Sequence, residues 1–242
     1  YYKLTGDLTA TGNANPYTTQ VWVQLSSAPG FSTYWSHYQQ TWVSVSTWCP
    51  ATGVNPWGYT FSNAAFVNGG RYLLKSIGYG PAGWETDPHS IYFNVDRTPP
   101  TSGINNLVND DHYTGYGGGK NINQIKGTAV DPDFSLFPGK LSTVKIQVKK
   151  KGTTLTFNGN EYNPADNWLD ADADNPPFNS NSEPWTYTIT YTTAAWDEER
   201  EYEIASKAYD DARALPGNPE TMPIVITIKI DRTPPTSALL FP

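Results

Sequence analysis

Cysteine is almost missing from this chain of 242 residues: Cys49 stands alone. One thiol forms no internal disulfide, and a disulfide scaffold is excluded. The three histidines, His37, His89 and His112, are scattered and show no metal-ligand spacing with it. Cys49 follows Trp48 and reads as a small buried apolar residue. Charge is also sparse, at 16% of residues, and its balance is acidic, at −7. Nucleic-acid binding draws on clustered Lys and Arg, so no nucleic-acid partner is expected. The one basic run, Lys149-Lys150-Lys151 before Gly152, reads as a solvated hairpin shoulder. No stretch approaches the ~18 consecutive apolar residues of a membrane span, so no membrane insertion is expected. There is no initiating Met, secretory leader or lipidation motif, and the chain reads as a processed product or a segment of something longer.

Catalytic motifs are missing too. There is no Gly-x-Ser-x-Gly elbow. The run Gly115 to Lys120 lacks the spacing of a phosphate loop and the Ser or Thr that follows its Lys. Glu183, Glu198 and Glu199 are carboxylates with nothing in the sequence to gather them into a glycosidase cleft. The expectation is a protein that is not an enzyme and requires no cofactor.

What the chain does have is aromatic residues, 14%, with 20 Gly and 20 Pro. That mixture suits short strands joined by tight turns. Apolar and polar residues alternate in Val21-Trp22-Val23-Gln24-Leu25, Ile91-Tyr92-Phe93-Asn94-Val95, Val144-Lys145-Ile146-Gln147-Val148 and Ile224 to Ile230. No window holds a 3.6-residue apolar period, so the chain is expected to be all-β.

Asp96-Arg97-Thr98-Pro99-Pro100-Thr101-Ser102 recurs letter for letter as Asp231 to Ser237, 135 residues on. Such self-similarity decides the architecture. Other pairs fall in the same order: Leu4-Thr5-Gly6-Asp7 with Ile125-Lys126-Gly127-Thr128, Trp57-Gly58-Tyr59-Thr60 with Trp185-Thr186-Tyr187-Thr188, and Arg71 to Ser76 with Glu201 to Ser206. Their offset grows from 121 to 135, as loop insertions between common strands require. Trp57 and Trp185 are suited to burial between two sheets. Tyr72 and Tyr202 are placed to act as corners, with the hydroxyl bonded to backbone. Proline fixes φ and lacks a donor, so Thr-Pro-Pro stops a sheet and stiffens the joint. The predicted architecture is two tandem immunoglobulin-like antiparallel β-sandwiches. They comprise residues 1–97, whose first strand is missing, and residues 98–232. Residues 233–242 follow as a joint plus a donor-like strand for the first domain of the next copy.

These residues resemble the immunoglobulin-like repeats of very large bacterial surface proteins. The resemblance is carried by Thr98-Pro99-Pro100-Thr101-Ser102, Gly127-Thr128-Ala129-Val130-Asp131, Trp185-Thr186-Tyr187-Thr188, Ala208-Tyr209-Asp210 and Asp231 to Pro235. In residues 1 to 97 the match is looser: Gly6-Asp7-Leu8 stands for Gly-Thr-Ala, and Ile77-Gly78-Tyr79 for Ala-x-Asp. The resemblance implies an extracellular or cell-surface location and a structural or adhesive role, and it carries over no catalytic residue.

Against a complete double repeat the chain reads as circularly permuted. The opening of the second unit, Thr98 to Leu107, has its counterpart at Thr236 to Pro242. Ala238, Leu239, Leu240, Phe241 and Pro242 are therefore expected to complete the first domain of another copy. Burial of such side chains is worth about 1.5–3 kcal/mol each, and a head-to-tail contact that does not close gives a filament.

Two further groups stand out. Asp170, Asp172 and Asp174 alternate, and read either as a solvated acidic loop or as a calcium site. Asp131, Asp133, Asp210 and Asp211, with Asp166, are the alternative set, read as carboxylates that gather near a domain joint. Tyr34, Trp35, Tyr38, Trp42 and Trp48 form an aromatic insertion, read either as packing or as a glycan platform. The functional expectation is a structural repeat unit of an extracellular bacterial filament, stalk or giant surface protein, partnered head-to-tail by other copies of itself. The rivals are an adhesive or carbohydrate-binding module and a spacer beside an enzyme domain outside this segment.

Overall fold

Val144, Ile146 and Val148 are buried while the residues between them are half-buried, as in a strand with one face on a core. The computed structural model describes residues 2–4, 6–115, 120–189, 195–212 and 217–238. Among them every regular element is a strand except one 3-10 turn, Asn63–Ala65. The chain divides into two compact units. Unit 1 comprises Tyr1–Thr98, Pro132–Gly139 and Asp211–Asn218; unit 2 comprises Pro99–Asp131, Lys140–Asp210 and Pro219–Pro242.

Unit 1 contains β1 (Leu8–Gly12), β2 (Gln20–Ser27), β3 (Thr33–Ser36), β4 (Thr41–Val43), β5 (Cys49–Pro50), β6 (Thr52–Gly53), β7 (Trp57–Phe61), β8 (Arg71–Gly80), β9 (Gly83–Trp84) and β10 (His89–Asn94). One sheet runs β1-β7-β6. The other runs β10-β8-β2-β3-β4, with β5 on β2 and β9 on β8. Trp57, Tyr59 and Phe61 from the first sheet meet Val23, Leu25, Tyr72 and Phe93 from the second in one core.

Unit 2 contains β11 (Thr101–Ile104), β12 (Asp111–Tyr113), β13 (Gln124–Val130), β14 (Leu141–Lys150), β15 (Thr156–Phe157), β16 (Tyr162–Asn163), β17 (Leu169–Asp170), β18 (Asp172–Ala173), β19 (Ser182–Thr188), β20 (Glu201–Asp210) and β21 (Val225–Ile230). Its sheets run β11-β13-β19-β18 and β12-β21-β20-β14-β15-β16, with β17 on β14. Ile125, Ala129 and Trp185 of the first pack on Val144, Ile146, Tyr202 and Ile204 of the second. Both units are therefore two-sheet β-sandwiches of the immunoglobulin-like kind, as the sequence led one to expect.

The registers align the units residue by residue. Val23 faces Ser76 as Ile146 faces Ser206, and Ser27 faces Tyr72 as Lys150 faces Tyr202. One expected pairing is wrong. Gly12 faces Trp57 as Gly127 faces Trp185, so Gly127 corresponds to Gly12 and not to Gly6. The reason is steric. A Cβ at Gly12 would stand 2.7 Å from the Trp57 ring, and one at Gly127 would stand 2.3 Å from the Trp185 ring. Gly12-Asn13-Ala14 thus stands where Gly127-Thr128-Ala129 stands. The same registers place Gly78, rather than Ile77, opposite the role of Ala208.

The first sheets differ at one edge. In unit 2, β11 covers β13, with Ser102 opposite Ala129 and Ile104 opposite Gly127. In unit 1, β1 is an edge strand among the described residues, and it is shorter than β13.

Candidate functional site

The repeated joint makes matching aspartate bonds in each unit, and its arginine bridges two backbone carbonyls in each. Asp96 donates its amide to Tyr2 O at 3.1 Å, and Asp231 donates to Tyr113 O at 2.9 Å. Asp96 Oδ1 accepts the Thr98 amide at 3.0 Å, and Asp231 Oδ1 accepts the Thr233 amide at 2.9 Å. Arg97 donates from Nε to Leu4 O at 2.8 Å and from Nη1 to Phe66 O at 3.2 Å. Arg232 donates to Thr114 O at 2.9 Å and to Trp196 O at 3.0 Å. Phe66 and Trp196 each lie six residues before their corner tyrosine. The rigid guanidinium fork suits this bridging of two carbonyls. Tyr2 pairs in parallel with Val95, as Tyr113 does with Ile230.

Both predicted corners are present. Tyr72 Oη accepts the Val67 amide at 2.8 Å, and Tyr202 Oη accepts the Asp197 amide at 2.6 Å. Tyr113 makes the same i−5 bond with Val108 at 2.9 Å, a third corner that the sequence reading missed.

Around the uncovered edge of β1, two adjoining recesses open. A groove of about 370 Å³ lies against β1 and β10, lined by Leu8, Ala10, Trp57, Leu74, Ser76 and Ile91. A second recess, of about 420 Å³, continues past Ala14, Ser76, Gly78 and Glu85. Glu85 was not singled out from the sequence. Its Oε2 accepts the Gly78 amide at 3.0 Å, and its own amide donates to Gly78 O at 2.9 Å. In unit 2, Glu220 repeats both bonds with Ala208, at 3.0 and 2.9 Å. There the acid also receives β11: Oε1 accepts the Ser102 amide at 3.0 Å, and Oε2 accepts the Ser102 hydroxyl at 2.6 Å. Ser102 Oγ also meets Ser206 Oγ at 2.9 Å. Glu220 is 4% exposed, whereas the Glu85 side chain is 36% exposed and its Oε1 lies 3.4 Å from the exposed His89. A sequence signal was there to find: Glu85-Thr86-x-Pro88 repeats as Glu220-Thr221-x-Pro223 at the joint's own offset of 135.

The structure does not gather the three alternating aspartates into a calcium site. Asp170 lies in β17 on one sheet and Asp172 in β18 on the other, so the chain changes sheets between them. Asp170 pairs with Lys145 at 2.6 Å, and Asp174 accepts from Thr186 at 2.9 Å. Among the described residues they are not one of the groups of three carboxylates whose oxygens lie within 4.8 Å of one another. Asp166 accepts from Gln147 at 2.6 Å. Of the acids weighed for glycosidase chemistry, Glu183 accepts the Ser180 amide, Glu198 pairs with Arg232, and Glu199 pairs with Lys229.

In the aromatic insertion, Trp35 is 2% exposed and sits in the core. Trp42 contacts Trp35 edge-on at 5.7 Å and stacks on Tyr72 at 5.8 Å. These two rings are packing residues. Tyr34 is half-buried in β3, and Tyr38 is exposed. Trp48 belongs elsewhere: with Trp22, Ile77 and Trp84 it lines an apolar recess of about 250 Å³. Trp84 touches Trp22 at 6.2 Å and Tyr79 at 4.9 Å. Lys149, Lys150 and Lys151 pair with Glu203, Asp197 and Glu201, as a solvated hairpin shoulder does. Of the terminal linking residues, Ala238 is exposed; Leu239, Leu240, Phe241 and Pro242 lie outside the described residues, as do Tyr116 to Gly119 of the glycine-rich run.

Burial raises the corner phenols Tyr72 and Tyr202 and the packed phenols Tyr59, Tyr162 and Tyr187 above the ordinary tyrosine range, Tyr202 to about 12. No helix among the described residues is long and apolar enough to cross a membrane.

No family model and no curated protein matches the chain. Among solved structures, the FN1–FN3 domains of chicken CNTN1 align with 94% of this chain and 63% of that one, at 12% identity and a TM-score of 0.41. The chain therefore spans less than two thirds of that structure's length.

Proposed function

We propose that this chain is a structural repeat unit of an extracellular bacterial filament, stalk or giant surface protein, linked head-to-tail through its terminal segment. One observation carries the reading: the joint Asp-Arg-Thr closes both units with matching aspartate bonds and an arginine that bridges two backbone carbonyls. A connector fastened in this way to the unit it leaves, and stiffened by Pro-Pro, acts as a spacer rather than a loose tether. The role is mechanical. The sandwiches resist extension, and the joints set the spacing between successive units.

The test is the solution state of the purified chain. Electron microscopy and size-exclusion chromatography are expected to show head-to-tail polymers, and removal of residues 238–242 is expected to leave monomers. A full chain that stays monomeric at high concentration overturns linkage between separate subunits. A second reading, an adhesive module that stacks on sugar rings, is favoured by the apolar recess of Trp22, Trp48 and Trp84. Glycan-array binding lost on Trp84→Ala, in a chain that does not polymerise, supports that alternative.

A further inference from the structure

Unit 2 shows what covers an edge of this kind. Its β11 lies antiparallel on β13, Ile104 faces Gly127, and Ser102 is held by Glu220 and Ser206. Unit 1 retains the receiving half of that arrangement. Gly12 stands for Gly127, Ser76 for Ser206, and Glu85 for Glu220, with the two glutamates making matched bonds to Gly78 and Ala208. The acid is buried where the strand is present and open where β1 is bare. Both recesses beside β1 are lined by Ser76, and one of them also by Glu85.

Resting on the head-to-tail reading, we infer that the groove along β1 is an acceptor site for the strand Thr236 to Phe241 of a second copy, anchored by Ser237 on Glu85 and Ser76. The donor is named by the repeat. Thr101-Ser102 and Thr236-Ser237 are the same residues after the same joint. By that identity Ser237 takes the place of Ser102 and Leu239 that of Ile104. Unit 2's register then sets the docking: Ser237 opposite Ala14, Leu239 opposite Gly12, and the apolar residues after it over Ala10 and Leu74. Glu85 Oε1, the oxygen that corresponds to the one on the Ser102 amide, accepts the Ser237 amide. Oε2 keeps Gly78 and accepts the Ser237 hydroxyl. Strand addition of this type takes affinity from main-chain bonds and specificity from alternate side chains. Here the specificity lies in one hydroxyl at an acid and one apolar residue over a glycine.

The test titrates a synthetic peptide of residues 231–242 into the full chain, below the concentration at which the chain self-associates. Calorimetry reads the affinity, and hydrogen exchange reads the amides of Leu8–Gly12. One peptide is expected to bind per chain, with protection of β1. The Ser237→Ala peptide is expected to bind at least tenfold more weakly, as is the parent peptide to a Glu85→Ala chain. The peptide variant carries the test should Glu85→Ala fail to fold. Equal affinity of the Ser237→Ala peptide, binding without protection of β1, or equal binding of a scrambled apolar peptide overturns the acceptor site and leaves the head-to-tail reading in place. No binding by a chain that polymerises through residues 238–242 does the same. No binding by a chain that stays monomeric overturns both.

Discussion

The hydroxyl oxygen of Tyr72 accepts the amide of Val67 at 2.8 Å, five residues back in the chain. Tyr202 does the same with Asp197. Each bond ties the loop entering a central strand to a ring buried in the core. Tyr72→Phe and Tyr202→Phe leave a backbone donor without that partner, which costs about 1–3 kcal/mol. Denaturant unfolding of each variant is expected to show the loss, confined to the unit that carries the change.

Alkaline unfolding follows from the same corner. The folded-state pKa of Tyr202 is raised to about 12, chiefly by desolvation of the phenolate. A raised pKa means that the folded state binds its proton more tightly than the unfolded state does. The contribution is complete below the unfolded value of about 10 and is lost as pH climbs from there through 12. The melting temperature is expected to fall over that window, and less steeply in Tyr202→Phe.

The two register glycines should respond unequally to a methyl group. At Gly127 the new Cβ would stand 1.8 Å from Gly103 O of β11 as well as against the Trp185 ring. At Gly12 the three nearest atoms it would meet all belong to the Trp57 side chain. Gly12→Ala is expected to cost about 1–3 kcal/mol, the usual range for overpacking. Gly127→Ala is expected to cost more, because a paired backbone cannot step aside. Equal losses in thermal unfolding contradict the assignment of β1 as the uncovered edge.

What the sequence disclosed, and what it hid, divides along one physical line. Strands β2 and β14 were legible because the apolar residues they pack on the core recur at every second position. The corners were legible because a Tyr at the start of such a strand has one economical use for its hydroxyl. Gly12 was not legible, since a glycine is diagnosed here by a tryptophan 45 residues away in sequence, which only the pairing of β1 with β7 reveals. Glu85 escaped in part: Thr86 and Pro88 repeat beside Glu220 and flag its position, but its bonds to Gly78 across a hairpin show only in the fold. Of the two readings of the alternating aspartates, the calcium site is the one not met, because even spacing places side chains on one face only while a strand continues, and this one changes sheets.

For those aspartates the structure predicts indifference. The variant carrying Asp170→Asn, Asp172→Asn and Asp174→Asn is expected to show the same response of melting temperature to added calcium as the parent chain. Loss of the exposed Lys145 pair costs no more than about 1 kcal/mol. A calcium response that vanishes in the triple variant restores them as ligands.

The two classes of tryptophan separate by energy. Trp35→Ala removes a ring that is 2% exposed, and about 3–5 kcal/mol is expected to go with it. Trp84, 53% exposed, contributes ring contacts worth no more than about 1.5 kcal/mol. Trp84→Ala is therefore expected to fold, which makes it the variant of choice for sugar-binding measurements.

Tyr2 and Val95 run in the same direction, as do Tyr113 and Ile230. A tug that draws chain out ahead of Tyr2 and behind Val95 slides the two segments past each other. Their bonds are then strained sideways together, instead of parting one after another like a zipper. The same holds for the second sandwich. Each module thus meets traction with a parallel pair of segments in shear, Tyr2 on Val95 in one and β12 on β21 in the other, a pairing whose bonds share the load.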